Sequence, residues 1–183
     1  MSDTPTIAEA EAALLPILIA PHKSLKTKAR AVGPGDMDAV REAVPRLFHT
    51  MYKAPGIGLA APQVNMLLRF FVVDVAPKDK KQPIVLINPE LVNVSRDLST
   101  REEGCLSLPN QYADVTRPAM VRISFSDLNG KRQEIDAEGL MAACLQHELD
   151  HLDGVLFTDH ISMLKRNMIF RKLAKEQRYK AGG

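Results

Sequence analysis

The stretch Gln146-His147-Glu148-Leu149-Asp150-His151-Leu152-Asp153-Gly154 contains the pattern His-Glu-x-x-His. On a helix, residues four apart stand one turn apart on the same face, about 5–6 Å between Cβ atoms. His147 and His151 can therefore aim two imidazoles at one point, and Glu148 can reach a water held there. Two neutral imidazoles on one metal, beside a carboxylate, are the makings of a hydrolytic centre. The same pattern also arises by chance. Its setting favours the metal: Leu140-Met141-Ala142-Ala143-Cys144-Leu145 forms helix readily, and Gly154 is a natural stop. Both histidines then fall on the apolar side, with Leu140, Ala143 and Cys144.

A catalytic zinc-type centre needs three protein ligands and one open position. One protease class continues the pattern to His-Glu-x-x-His-x-x-Gly-x-x-His, but Phe157 stands where that third histidine belongs and His160 comes three residues too late. Thermolysin-like enzymes use a downstream glutamate. After Gly154 there is only Glu176, in a basic tail. The better candidate lies upstream, in Glu102-Glu103-Gly104-Cys105-Leu106-Ser107-Leu108-Pro109. Cys105 reads equally as a buried structural cysteine or as a thiolate beside a dication.

A chain of 183 residues is one domain with a real core. No apolar run approaches 18 residues, so no membrane span is expected. The N-terminus carries Asp3, Glu9 and Glu11 and no Lys or Arg before Lys23, which argues against a targeting peptide. Cys105 and Cys144 could pair, but without a secretion signal a reduced, cytoplasmic setting is the expectation. Charge is uneven. From Ile161 onward seven Lys/Arg face Glu176 alone, which leaves 17 basic and 21 acidic residues before it, so a mildly acidic body carries a basic tail.

Residues 1–15 are Ala/Glu-rich and read as an N-terminal extension; 16–32 read as irregular. Asp36 to Tyr52 predicts a helix capped by Asp36, with Val40, Val44, Leu47 and Met51 at helical spacing and Pro45 as a kink. Gly56-Ile57-Gly58-Leu59-Ala60-Ala61-Pro62-Gln63 lacks the Gly-Lys-Ser/Thr of a phosphate loop and fits a tight loop that brings backbone near a ligand. Strands are predicted at Leu68–Val75, Pro83–Asn88 and Leu91–Leu98. Val121–Leu128 and Lys131–Ala137 form a hairpin whose Asn129-Gly130 suits a type I′ turn. Antiparallel strands around a central motif helix, followed by a basic C-terminal helix over 161–180, make the fold α+β, with 16–183 as one catalytic domain.

Three stretches, Gly56-Ile57-Gly58-Leu59-Ala60-Ala61-Pro62-Gln63, Glu103-Gly104-Cys105-Leu106-Ser107 and Gln146-His147-Glu148-Leu149-Asp150-His151, resemble in order and content the three signature motifs of peptide deformylases. Ile17-Leu18-Ile19-Ala20-Pro21 is similar to the family's opening, and the likeness covers roughly residues 16–175. The resemblance implies a metal-dependent hydrolase that removes the formyl group from N-formylmethionine on new polypeptides. It implies one divalent metal, Fe(II) by preference with nickel, cobalt or zinc able to replace it; the Cys/His/His set alone suggests zinc.

Carried over residue by residue, the resemblance makes Cys105, His147 and His151 the ligands and Glu148 the proton shuttle. The Gln63 amide and the Leu106 backbone N–H become the oxyanion donors. Backbone near Gly58 would hold the peptide as an added strand, and Ile57, Leu140, Ala143 and Cys144 would line the methionine pocket. Glu103 would be a supporting carboxylate paired with Arg117, and Tyr112 stands where some members carry a basic residue. The partners implied are nascent N-formylmethionyl peptides and, through the basic tail helix, the ribosome surface; neither DNA nor a membrane is expected. The alternative reading is a zinc peptidase of another His-Glu-x-x-His type.

Overall fold

The computed structural model describes residues 13–76 and 80–182. The stretch 1–12, and with it most of the expected extension, lies outside the described residues. Helix α1 spans Met37–Lys53. Strands follow as β1 Gly58–Ala60, β2 Phe70–Val73, β3 Ile84–Val94, β4 Leu98–Cys105, β5 Leu108–Pro118, β6 Met120–Ser126 and β7 Arg132–Glu138. Helices α2, Gly139–Leu152, and α3, Met163–Ala181, complete the chain. One sheet has the order β1-β2-β3-β6-β7 with every pairing antiparallel, and β4 and β5 form a separate two-stranded hairpin. The architecture is α+β, as the strand and helix patterns imply.

Both faces of the larger sheet are covered, so β2 reads as an unbroken apolar run, Phe70-Phe71-Val72-Val73. Strand side chains alternate. Phe71 and Val73 join Leu86, Ile123 and Phe125 beneath Ala142, Leu145, Leu149 and Leu152 of α2. Phe70 and Val72 pack with Val40, Val44, Leu47 and Met51 of α1 on the other face. Each fully buried aliphatic or aromatic side chain contributes about 1.5–3 kcal/mol relative to exposure, and α2 is thereby clamped along its length. A third cluster joins Leu108 and Val115 of β5 to Phe157 and to Ile169 and Leu173 of α3.

Several local expectations change. The strands predicted at Pro83–Asn88 and Leu91–Leu98 are one strand, β3, whose register with β6 slips between Ile87 and Glu90 and again between Leu91 and Asn93. Pro89 has no N–H to give a ladder, and Asn88 beside it adopts a positive φ of 49°, so the chain bulges instead of ending. Gly104 and Cys105 end a strand that the apolar patterns did not mark, because β4 and β5 pair from Leu98↔Pro118 inward. Asp36 makes no capping bond to α1; it accepts from Gly33 N and from Arg30, closing the 3₁₀ turn Pro34–Asp36 that precedes the helix. Helix α1 continues through Pro45.

The β6–β7 hairpin forms, but not through a type I′ turn. Gly130 alone of Asn129-Gly130 has a positive φ, at 79°. The Asp127 carboxylate accepts from the N–H groups of Asn129 and Lys131, and the strands separate already at Ser126↔Arg132. On α3 the inward stripe is Ile169 and Leu173, while Leu164 and Met168 are exposed.

Candidate metal centre

Four pieces of chain converge where α2 meets the mouth of the β4–β5 hairpin. The segment read as irregular is the tie between them: Leu18 N donates to Gln63 O at 2.7 Å and Ala20 N to Ser107 O at 2.9 Å. The 3₁₀ turn Ala61–Val64 after β1 carries Gln63 inward. At the hairpin tip the register shifts between Gly104 and Cys105, so Cys105 faces Leu108. A Cβ on Gly104 would lie 2.6 Å from the ring of its cross-strand partner Tyr112, so the bare backbone there lets that ring lie over the strand. Helix α2 presents His147 and His151 one turn apart. It ends at Leu152, and the chain then turns at Gly154 (φ 73°), where a Cβ would strike the Lys26 backbone at 2.7 Å.

One ligand atom each from Cys105, His147 and His151 lies within 4.8 Å of the others. Cys105 Sγ is 3.3 Å from His151 Nε2. His147 turns its other nitrogen, Nδ1, to Glu103 Oε1 at 3.0 Å. Burial would raise the Glu103 carboxyl, but hydrogen bonds from His147 and Arg117 hold it at about 2. As a carboxylate it only accepts, so His147 donates from Nδ1 and its Nε2 lone pair is left for the cluster. Burial pulls the His147 imidazole down, yet hydrogen bonds to Cys105 and Glu103 carry it well above the ordinary histidine value. Glu103 and Cys105 thus favour positive charge at His147. Burial, then the charges at His147 and Arg117, push His151 well below its usual value, leaving a neutral imidazole. One sulfur and two imidazole nitrogens fit a first-row divalent metal.

Glu148 is 3% exposed, and its Oε2 meets no hydrogen-bond partner among the described residues. Burial, opposed by His147, pushes this carboxyl up to about 7. A buried polar atom without a partner costs about 1–3 kcal/mol, a cost that a bound water or substrate group relieves. Gln63 is fixed at both ends: Oε1 accepts from Ala60 N at 3.0 Å, and Nε2 donates to Ser107 Oγ at 3.1 Å, 3.6 Å from Cys105 Sγ.

A cavity of about 880 Å³ opens over these groups. Its lining includes Ile57, Gly58, Gln63, Cys105, Leu106, Leu140, Ala143, Cys144, His147 and Glu148, with Glu103 and Tyr112 beside them. His151 sits behind them, 1% exposed. Ile57 and Leu140 stand at the rim, 40% and 46% exposed, and Cys144 lies deep. Burial pushes the Cys144 thiol well up, with Glu148 and Glu103 adding to the shift, so it stays protonated. Phe157 is core, stacked 6.4 Å from His147, and Glu176 is occupied by Gln111 at the surface of β5. The pattern reading passed over Ser107, which receives the Gln63 amide, and Asp150, which binds Arg117. For Asp150 the signal was a second acid inside His147-Glu148-Leu149-Asp150-His151.

Residues 14–167 match the family model described as polypeptide deformylase. The peptide deformylase of Agrobacterium fabrum is 49% identical over 166 residues, covering 90% of this chain and 97% of that protein. Among solved structures, a peptide deformylase from Legionella pneumophila superimposes with a TM-score of 0.86 at 44% identity, covering 92% of this chain and 98% of that one. A peptide deformylase from Synechococcus elongatus in complex with actinonin gives 0.81 at 41% identity, with 86% of each chain covered. The chain belongs to the polypeptide deformylase family and is an enzyme of it, a metal-dependent hydrolase that removes the formyl group from N-formylmethionyl peptides.

Proposed function

We propose that Cys105, His147 and His151 hold the metal and that Fe(II) is the native ion, with nickel, cobalt or zinc able to replace it. The single observation that carries the ligand set is the convergence of three donor atoms within 4.8 Å beside the buried Glu148 carboxylate. When bound, such an ion supplies Lewis-acid chemistry, lowering the pKa of water toward about 7 and polarising a carbonyl oxygen.

The chain's own residues do the rest. Glu148 takes a proton from the attacking water. It returns that proton to the methionine nitrogen as the formyl C–N bond breaks, so that formate and a free amine leave. Its place near neutrality suits both halves of that transfer. Gln63 Nε2 and the Leu106 N–H donate to the oxygen that gains charge, and one such donor is worth about 3 kcal/mol of barrier. Gln63 is held on both sides, so it donates without reorganising.

The peptide runs along β1, an end strand of the larger sheet, and adds to it as a strand at Gly58. Ile57, Leu140, Ala143 and Cys144 receive the unbranched methionine side chain. Residues 16–183 act as one catalytic unit in the cytoplasm. No described helix is long and apolar enough to cross a membrane. The exposed basic side chains of α3 meet the ribosome surface.

The test is anaerobic loading with iron or nickel and assay of formate release from formyl-Met-Ala-Ser. Loaded protein should release formate, and Glu148→Gln should keep about one metal per chain while losing roughly 10²–10⁴-fold in turnover. Cleavage between residues without formate would point to a peptidase instead.

A further inference from the structure

The Glu103–His147 contact is the inner end of a longer line of hydrogen-bonded side chains. Arg117 donates Nε to Glu103 Oε2 at 2.7 Å and Nη2 to Glu103 Oε1 at 2.9 Å. Its Nη1 donates to Asp150 Oδ2 at 2.9 Å. That same Asp150 oxygen accepts from His160 Nε2 at 2.7 Å. Side-chain exposure rises along the line, from 7–8% at Arg117 and Glu103 to 24% at Asp150 and 35% at His160. The groups come from β4, β5, α2 and the 3₁₀ turn Phe157–His160.

We infer that Asp150 and His160 are positioning residues for the metal ligand His147, acting through Arg117 and Glu103. Glu103 grips His147 through one oxygen that also accepts from Arg117. How strongly it pulls on the Nδ1–H depends on how much of the Arg117 charge it must itself neutralise. Asp150 takes part of that charge. Without it, the guanidinium draws harder on Glu103, and the hydrogen bond to His147 weakens. Arg117 also loses its second anchor, so Glu103 is held less firmly. Both changes lower the donor strength of His147 and free its ring to turn. His160 fixes the Asp150 oxygen that faces Arg117. A side chain that can still donate there, such as glutamine, keeps the arrangement; phenylalanine cannot.

This inference rests on His147 being a ligand, so the experiment tests both. Full-length wild-type, Asp150→Asn, His160→Gln and His160→Phe proteins are loaded with Co(II). Visible spectra and the rate of cobalt release to excess chelator are recorded. Asp150→Asn should release cobalt about tenfold faster, at the lower end of what partners of metal ligands usually command, with shifted d–d bands. His160→Phe should move the same way by less, and His160→Gln should match wild type. Wild-type release and spectrum in Asp150→Asn, or equal acceleration in the two His160 variants, would overturn the inference. Should Asp150→Asn fail to fold, the two variants at the half-exposed His160 decide alone. A wild-type spectrum lacking a thiolate-to-cobalt band would overturn the ligand set itself.

Discussion

Gly58 and Glu148 occupy one another's space. A Cβ built on Gly58 falls 2.5 Å from Glu148 Oε1 and 2.9 Å from its Cδ, so the β1 backbone is pressed against the Glu148 carboxyl. Gly58 is needed here for the missing side chain, not for an unusual φ. Gly58→Ala should displace Glu148 by several tenths of an ångström or more. The expected outcome is a loss in kcat of up to about 10²-fold, as small misplacements of reacting groups produce, with metal content retained. Steady-state kinetics on formyl-Met-Ala-Ser beside metal analysis checks it; unaltered kcat would show that Glu148 has room to spare.

The two cysteines should behave differently. Cys105 lies against His151 and Gln63 at the ligand cluster. Cys144 is a buried thiol 3.8 Å from the Ile57 carbonyl. Cys105→Ala should emerge without stoichiometric metal, whereas Cys144→Ala should keep it and change chiefly KM through the methionine pocket. Equal metal content in both, measured by atomic emission, would refute the assignment.

Asp36 offers a pH effect remote from the centre. Hydrogen bonds from Arg30 and then from the Gly33 N–H hold its carboxyl at about 2. A carboxyl depressed on folding stabilises the fold above its unfolded value, near 3.9. That contribution is lost as pH falls from there through about 2. Carboxyl-carbon NMR titration should place Asp36 at about 2 in wild type and closer to the ordinary range in Arg30→Ala, with the Gly33 bond keeping part of the depression. An unshifted wild-type titration would show the ion pair to be open in solution.

Ribosome docking through α3 is best tested without truncation. Leu173 is fully buried in the cluster with Leu108 and Phe157, so removing residues after Arg171 would also damage the core. Reversing charge at the exposed Lys172, Lys175 and Arg178 spares it. The triple Glu variant should lose low-salt co-sedimentation with ribosomes, since phosphate contacts dominate such binding and weaken steeply with salt. Its turnover of short formyl-peptides should stay unchanged. Co-sedimentation equal to wild type would leave the basic face as solubilising charge.

Much of the site was legible because its signals are local. His147 and His151 at i,i+4, a helix-forming approach and the Gly154 stop all act within a few residues, so helix geometry places two imidazoles together before any tertiary contact forms. The alternating and continuous apolar runs likewise mark the strands and their covered faces. Where local signals competed, pattern reading failed. Pro89 looked like a break and became a bulge, Asn129-Gly130 looked like a two-residue turn and yielded to the Asp127 carboxylate, and Asp36 capped its own turn instead of α1.

By itself the sequence determined that two histidines and a carboxylate share one helical face, that the fold is α+β, and that the tail is basic. Only the tertiary structure decided the rest. Cys105 reaches His151 across 46 positions, and Gln63 reaches Cys105 across 42. Nothing in the spacing of residues so distant specifies a contact of 3–4 Å. It follows from the register of β4 against β5, the tie of residues 18 and 20 to both loops, and the packing of α2 on the sheet. The line from His160 to His147 has the same origin. Each link joins side chains from different elements, and at the inner end burial strengthens the Arg117–Glu103 pair by removing the water that would otherwise screen it.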